Sequence, residues 1–302
     1  MTPPRGLFAG LATLDSAYRV EALPDANTKV VALGHELAAG GPAANAAVTF
    51  SALGGGATLV TALGGHVLAR YTATELGQRG VEVRDAMPRS VAAPALSSIY
   101  VVDATGDRSV VSMNAARMAL PAPADLAATV ARAKVVLVDG HHPEVALAAA
   151  RAAVERQVPV VLDGGSWKPG LESVLPLVDF AVCSADFRTP GAATAVESVA
   201  GLRRRGVEAV AVTRGGQPVW WWRGSESGEV PVVRVAVKDT LAAGDAFHGA
   251  FCYAVSAAPG IPFPRALAFA AEVAAVRCSV PGLRAWLADP RLRGFAAELA
   301  RK

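Results

Sequence analysis

Lys238-Asp239-Thr240-Leu241-Ala242-Ala243-Gly244-Asp245-Ala246-Phe247-His248-Gly249-Ala250-Phe251 is the stretch around which the rest of the chain can be ordered. It joins a turn of small residues, Leu241 to Gly244, to a single carboxylate, Asp245. An apolar run at helical spacing follows, with Ala246, Phe247, Ala250, Phe251 and Val255. A turn without bulky side chains leaves backbone N–H groups free at a helix start, and with the helix dipole these favour an anion. A carboxylate placed inside such a site has an electrostatic cost, which points to chemistry. A base beside an anion cradle is what phosphoryl transfer to a hydroxyl needs. The alternative is an ordinary helix start with an acidic first-turn residue.

Upstream of that stretch the chain alternates strands and helices. Val135 to Val138, Val158 to Leu162, Phe180 to Val182 and Ala209 to Val212 read as strands, with helices at Glu144 to Gln157 and about 194–205 between them. This rhythm predicts a parallel sheet covered by helices on both faces. Polar residues fall at the strand ends: Asp139, Asp163, Ser184 and Thr213-Arg214-Gly215-Gly216. Ligands of such sheets sit outside the carboxyl ends of the strands, so these residues share a candidate cleft. Asp15, after an apolar first strand at Leu7 to Leu11, is expected there too. Val219 to Trp222 and Val230 to Val237 read as an antiparallel addition, and helices at about 244–257, 264–278 and 291–301 finish the chain.

Nearer the N-terminus, Gly40-Gly41-Pro42-Ala43-Ala44-Asn45 forms a glycine hinge leading into a helix that stops at Gly54-Gly55-Gly56. Asn45 can hydrogen-bond a ligand hydroxyl as donor and acceptor, or act as a local cap. Residues 18–37 suggest short strands with turns. Ser97 to Val102 and Ser109 to Met113 suggest a hairpin, so a small sheet standing off the main body is expected.

Composition narrows the class. The 302 residues are 52 % hydrophobic and 18 % charged, with a net charge of +3, which fits a globular chain without a nucleic-acid footprint. No apolar stretch predicts a membrane span and no signal peptide is read at the N-terminus. Cys183, Cys252 and Cys278 are odd in number and far apart, which suits a reducing cytoplasm. His141-His142 lacks metal-ligand spacing, and no P-loop, zincin or nucleophile-elbow motif occurs.

Gly40-Gly41-Pro42-Ala43-Ala44-Asn45 and Asp239-Thr240-Leu241-Ala242-Ala243-Gly244-Asp245 resemble the two signatures of the PfkB/ribokinase family of carbohydrate kinases, in the family's order and separation. The resemblance covers nearly the whole chain. It implies one ribokinase-like α/β/α sandwich over residues 1–302, with a mostly parallel central sheet and a small β-sheet lid from about 12–37 and 91–113. It implies Asp245 as the base taking the hydroxyl proton, and the N–H groups of Ala242, Ala243, Gly244 and Asp245 as an anion hole. Asp15, Gly40, Gly41 and Asn45 would bind sugar hydroxyls. Ser184, Thr213, Gly215, Gly216 and a loop near Ala274 to Gly282 would meet ATP. Mg²⁺ would arrive with ATP, largely water-coordinated.

Three departures stand out. The family's usual Gly-Ala-Gly-Asp reads Ala242-Ala243-Gly244-Asp245. Alanine keeps the N–H donor but disfavours positive φ, so a surviving hole implies negative φ at 242. The Asn-x-x-Glu motif reads Ser184-Ala185-Asp186-Phe187, and the last glycine of Thr-x-Gly-x-x-Gly reads Pro218. The Gly-Gly-x-x-x-Asn and Asp-Thr-Leu forms look closer to ketohexokinases and sulfofructose kinases than to ribokinase. Lys29 and Arg108, on the expected lid, could meet an anionic sugar or be exposed charges. The resulting expectation is ATP-dependent phosphorylation of a primary hydroxyl of a sugar, by a cytoplasmic enzyme that dimerises through its lid. A nucleoside kinase, with Tyr18 and Tyr100 against the base, or a non-catalytic sugar- or nucleotide-binding regulator are the alternatives.

Overall fold

The computed structural model describes residues 3–114 and 120–301. A nine-stranded sheet forms its centre. In chain order its strands are β1 (Arg5–Ala9), β4 (Gly56–Thr61), β5 (Val81–Asp85), β8 (Val135–Val138), β9 (Val160–Gly164), β10 (Phe180–Ser184), β11 (Ala209–Arg214), β12 (Gln217–Arg223) and β13 (Glu226–Val230). Across the sheet they run β13-β12-β11-β10-β9-β8-β1-β4-β5. All neighbours from β11 to β5 are parallel, and β12 and β13 add antiparallel at one edge.

The period of two along each strand divides the core. Phe8, Val135 and Leu137 face one layer, while Leu7, Ala9, Val136 and Val138 face the other. The first layer holds α1 (Pro42–Ala52), α2 (Val67–Gln78), α7 (Ala243–Ala257), α8 (Phe263–Ser279) and α9 (Pro290–Arg301). The second holds α3 (Leu126–Val130), α4 (Pro143–Val154), α5 (Leu171–Val174) and α6 (Ala195–Arg204). Buried on both faces, the parallel strands read as nearly continuous apolar runs, which is why β8 is Val-Val-Leu-Val.

A second sheet has the order β3-β2-β6-β7, from β2 (Thr13–Val20), β3 (Gly34–Gly40), β6 (Ala95–Val102) and β7 (Arg108–Ser112). Its Ala17, Ala38, Ile99 and Val101 enclose Leu283, with Leu241 packed against them. The small sheet thus rests on the loop that precedes α7 and the loop that follows α8.

Three expectations need correction. Asp15 does not follow the first strand as a loop residue. It is the third residue of β2, inside the small sheet, because β1 ends at Ala9 and Thr13 already pairs with Gly40. The strand expected over Val230 to Val237 is β13, which ends at Val230. Arg223 pairs directly with Glu226, so Gly224 (φ 55°) and Ser225 make a two-residue hairpin turn. Ala274 is not in a loop but inside α8, half-buried, and the chain leaves that helix only after Ser279.

Candidate active site

Helices α1 and α7 start side by side at the carboxyl ends of the parallel strands and bring the two glycine-rich stretches together. Pro42 occupies the first turn of α1. Gly41 before it has φ 93°, and a β-carbon there would lie 2.5 Å from the Leu11 carbonyl oxygen. Glycine is therefore required for the hinge. One turn into α1, the Asn45 amide donates from Nδ2 to Asp245 Oδ2 at 2.8 Å. The close approach has a second cause in Gly249 of α7, which faces Ala46 and Thr49 of α1.

The turn before Asp245 is held from behind. Asp239 Oδ1 accepts from the Leu241 N–H at 2.9 Å, and its Oδ2 meets Arg277 Nη2 at 3.0 Å and the Gly282 N–H at 3.3 Å. Arg277 and Asp239 are buried, at 0 % and 3 % exposure. Such a pair gives modest net stability, but losing one partner strands a buried charge. Ala242 adopts φ 57° and ψ 18°, so the negative φ implied by an alanine there is not what the turn uses. The left-handed geometry costs an alanine about 1–2 kcal/mol, and the Asp239 brace together with α7 holds it. The Ala243 N–H reaches the Thr240 carbonyl at 3.3 Å, whereas those of Ala242, Gly244 and Asp245 have no partner among the described residues. Gly244 opens on empty space, with no atom within 4 Å of a β-carbon placed on it. Three free N–H groups at a helix start beside a carboxylate suit an oxyanion next to a proton acceptor.

Asp15 is buried against this site from the small sheet. A β-carbon on Gly40 would fall 1.9 Å from Asp15 Oδ2, so the missing side chain at 40 is what admits the carboxylate. Burial raises the Asp15 carboxyl above its ordinary value, opposed by hydrogen bonds from Thr13 and Ser97 and by Arg284. Burial likewise pushes the Asp245 carboxyl up to about 7. Asp163 adds to the rise, and Asn45 and His248 oppose it. Asp245 as a residue is half-buried, and solvent on its open side tempers the rise.

Arg284 was not foreseen from the sequence, yet it ties the site together. Its Nη1 donates to Asn45 Oδ1 at 3.1 Å, its Nε to Glu75 Oε1 at 3.0 Å, and its Nη2 to the Ala39 carbonyl. The Asn45 amide is thereby fixed with its NH₂ toward Asp245. For Glu75, burial works upward, but Arg284 and Arg79 outweigh it and hold the carboxyl below its ordinary value. No local pattern announces Arg284, which lies 239 positions from Asn45.

The remaining expected residues divide. Ser184 and Thr213 are paired neighbours at the ends of β10 and β11. Gly215 (φ 60°) and Gly216 follow on open backbone, with no atom within 4 Å of a β-carbon placed on either. Asp139 is taken up by structure, accepting from the N–H groups of Leu11, Ala43 and His141 at 2.8, 3.3 and 2.9 Å. Arg108 donates from Nη1 to the Thr240 hydroxyl at 2.6 Å, which brings it beside the turn that precedes α7. Lys29 lies exposed in the loop between β2 and β3. Cys183, Cys252 and Cys278 are unpaired. Two cavities, of about 380 and 370 Å³, open at the opposite edge of the sheet, around Arg5 and around Phe180. Among the described residues no helix is long and apolar enough to cross a membrane, and no group of three or more His, Cys, Asp or Glu could hold a metal.

Solved structures share this architecture. A protein from Agrobacterium tumefaciens assigned provisionally as a ribokinase aligns at 28 % identity over 99 % of this chain and 98 % of its own, with a TM-score of 0.84. A ribokinase from Arabidopsis thaliana, complexed with ribose and ATP, aligns at 23 % identity over the full length of both chains, with a TM-score of 0.78. A fructokinase from Xylella fastidiosa with bound ATP aligns at 24 % identity over 98 % of each chain, with a TM-score of 0.77. The fold is ribokinase-like. The model of the pfkB family carbohydrate kinases matches residues 8–289, and the chain belongs to that family.

Proposed function

We propose that the protein transfers the γ-phosphoryl group of ATP to a primary hydroxyl of a sugar or sugar derivative, with Asp245 as general base. The observation that carries this reading is the 2.8 Å contact of Asn45 with Asp245 beside the unbonded N–H groups of Ala242, Gly244 and Asp245. Asp15, Gly40, Gly41 and Asn45 hold the sugar. The acceptor oxygen attacks the γ-phosphorus as its proton passes to Asp245. The bond to the β–γ bridging oxygen breaks, leaving ADP, and the free N–H groups take the negative charge of the phosphoryl oxygens. A carboxylate raised toward neutrality is a stronger proton acceptor than an ordinary aspartate, which suits an alcohol.

ATP lies along Ser184, Thr213, Gly215 and Gly216, where the backbone is open. Mg²⁺ would arrive with ATP and would supply charge neutralisation for its phosphates there. The residues fit a water-mediated approach, because exposed Asp186 stands two positions after Ser184 at the same strand end. A coupled ADP-release assay over sugars, sugar phosphates and nucleosides tests the reading, with Asp245→Ala expected to lose about 10²–10⁴ in rate. Unchanged turnover in that variant would refute the base. ATP binding with no turnover on any acceptor would favour a binding regulator.

The Gly-Gly-x-x-x-Asn and Asp-Thr-Leu forms support the ketohexokinase- and sulfofructose-kinase-like branch. A nucleoside acceptor is disfavoured. Tyr18 and Tyr100 are directly paired, but each is one residue out of phase with Ala17 and Ile99, which pack inward with Leu283. The two tyrosines therefore stack on the sheet's other face, with ring centroids 6.0 Å apart. That face, and the exposed Leu37, Val110 and Val111 on the edge strands β3 and β7, support a homodimer through the small sheet, and the three free cysteines suit a reducing cytoplasm. Sedimentation equilibrium checks the dimer.

A further inference from the structure

His248 follows Asp245 by three residues, so the two side chains leave the same face of α7. It is 5 % exposed, and both ring nitrogens meet backbone carbonyls. Nδ1 lies 2.7 Å from the Gly244 oxygen and Nε2 lies 2.9 Å from the Val182 oxygen. Carbonyl oxygens only accept, so both contacts are hydrogen bonds only when each nitrogen carries a proton, which makes the ring a cation. Its counter-charge is at hand in Asp163 of β9, whose Oδ2 is 3.4 Å from Nδ1. That oxygen is buried and takes no hydrogen bond among the described residues. A buried, unpartnered carboxylate oxygen is costly unless a nearby charge compensates it.

We propose that Asp163 and His248 form a buried charge pair that positions Asp245 and sets the charge environment in which it takes up the substrate proton. The inference rests on the reading of Asp245 as base. Two physical effects follow from the geometry. The Gly244 carbonyl and the Asp245 N–H belong to one planar peptide unit and point in opposite directions. A ring N–H bonded to that carbonyl fixes the plane and polarises it, which directs a better donor toward the open side. Meanwhile the two members of the pair act on the Asp245 carboxyl in opposite senses. After burial itself, Asp163 is the largest influence raising it, and His248 works downward.

Other groups face this cluster as well. Asp15 reaches Asp245 from the small sheet and also raises it, and Asn45 of α1 binds it, with Arg284 behind. Around Asp163 stand Cys183 of β10 and Cys252 of α7. Burial pushes both thiols up, and Asp163 adds to it, so they stay neutral. His141, at the end of β8, is lowered by burial, with Asp139 and Asp163 opposing and Lys168 adding to the fall.

The test is a ¹³C NMR titration of the Asp245 carboxyl in the full-length protein, its resonance assigned by its absence from Asp245→Asn. In Asp163→Asn the midpoint moves to lower pH, because a negative neighbour is gone. In His248→Gln it moves to higher pH, because a positive one is gone. Each shift is expected at about one pH unit. A pair that only fills space lowers stability and leaves both midpoints in place. Unmoved midpoints, or shifts of the same sign, overturn the proposal. Should either variant fail to fold, ¹⁵N spectra of the His248 ring in the unmodified protein decide. A proton on each nitrogen supports the pair, and a single proton overturns it. Turnover that survives in Asp245→Asn would remove the base while leaving these titrations readable, so the two failures are distinct.

Discussion

Gly249 of α7 lies against Ala46 of α1 so closely that a β-carbon on it would come within 2.3 Å of the Ala46 carbonyl oxygen and 2.7 Å of Thr49 Cβ. This contact sets the separation of the two helices that carry Asn45 and Asp245. Gly249→Ala is expected to push them apart. Overpacking costs about 1–3 kcal/mol, against which the better helix propensity of alanine returns about 0.5–1 kcal/mol. The melting temperature should fall and kcat should fall with it, because the Asn45 amide no longer reaches Asp245. A variant with wild-type melting and wild-type kcat would show that the helix contact does not position the site.

Gly244 presents the opposite case. A β-carbon on it meets nothing within 4 Å, so Gly244→Ala leaves the fold intact. As a helix residue, alanine there is expected to be neutral or stabilising by about 0.5–1 kcal/mol. The new methyl occupies the space beside the free N–H groups of the turn. Phosphoryl transfer should drop about tenfold or more, equivalent to at least about 1.4 kcal/mol of lost transition-state contact. Thermal melting and steady-state kinetics on the same preparation separate the two effects. A stable protein of full activity would place the transferring group elsewhere.

Which parts of this were legible in the sequence follows from the range of each signal. Val135 to Val138 and Ala209 to Val212 are apolar because both faces of the sheet are covered, so the strands announce themselves locally. The edge strands do not. Val81-Glu82-Val83-Arg84-Asp85 pairs only with β4, and Glu226-Ser227-Gly228-Glu229-Val230 only with β12, so both carry polar residues and read as loop. Asn45 and Asp245 were legible because each sits in a glycine-rich stretch with a conformational reason to exist. The Asp239–Arg277 brace and the Arg284 contact with Asn45 join residues 38 and 239 positions apart, and no period encodes such distances. His248 carries a usable signal, its spacing of three from Asp245 on a helix.

Ala242 holds a left-handed conformation that glycine adopts freely. Ala242→Gly relieves about 1–2 kcal/mol of native strain, while the looser unfolded chain returns about 0.4–1 kcal/mol of that. The expected result is a melting temperature equal to or slightly above that of the parent, with kcat preserved, since the N–H at 242 remains. Urea unfolding and the ADP-release assay check both. A marked loss of stability would mean that the alanine methyl makes a contact the turn depends on.

Asp245 connects the base to the stability of the fold, and the sign of the linkage can be fixed in advance. Its carboxyl is raised in the folded state to about 7, from 3.8. Between these values the folded protein holds a proton that the unfolded chain has lost, so stability falls as pH rises through this window. Below it, both states are protonated and the group contributes nothing. Above it, the full penalty of a buried charge next to Asp163 is present. Asp245→Asn has no such charge and keeps an amide able to pair with Asn45. The variant should therefore melt at a higher temperature than the parent at pH 8, and the gap should close on moving to pH 4. Activity follows the reverse course, with kcat/KM of the parent rising with pH along a limb whose midpoint lies at or somewhat below about 7, as the open side of Asp245 tempers its burial. A melting difference independent of pH would mean that the carboxyl is not raised, and the charge argument for this base would fall with it.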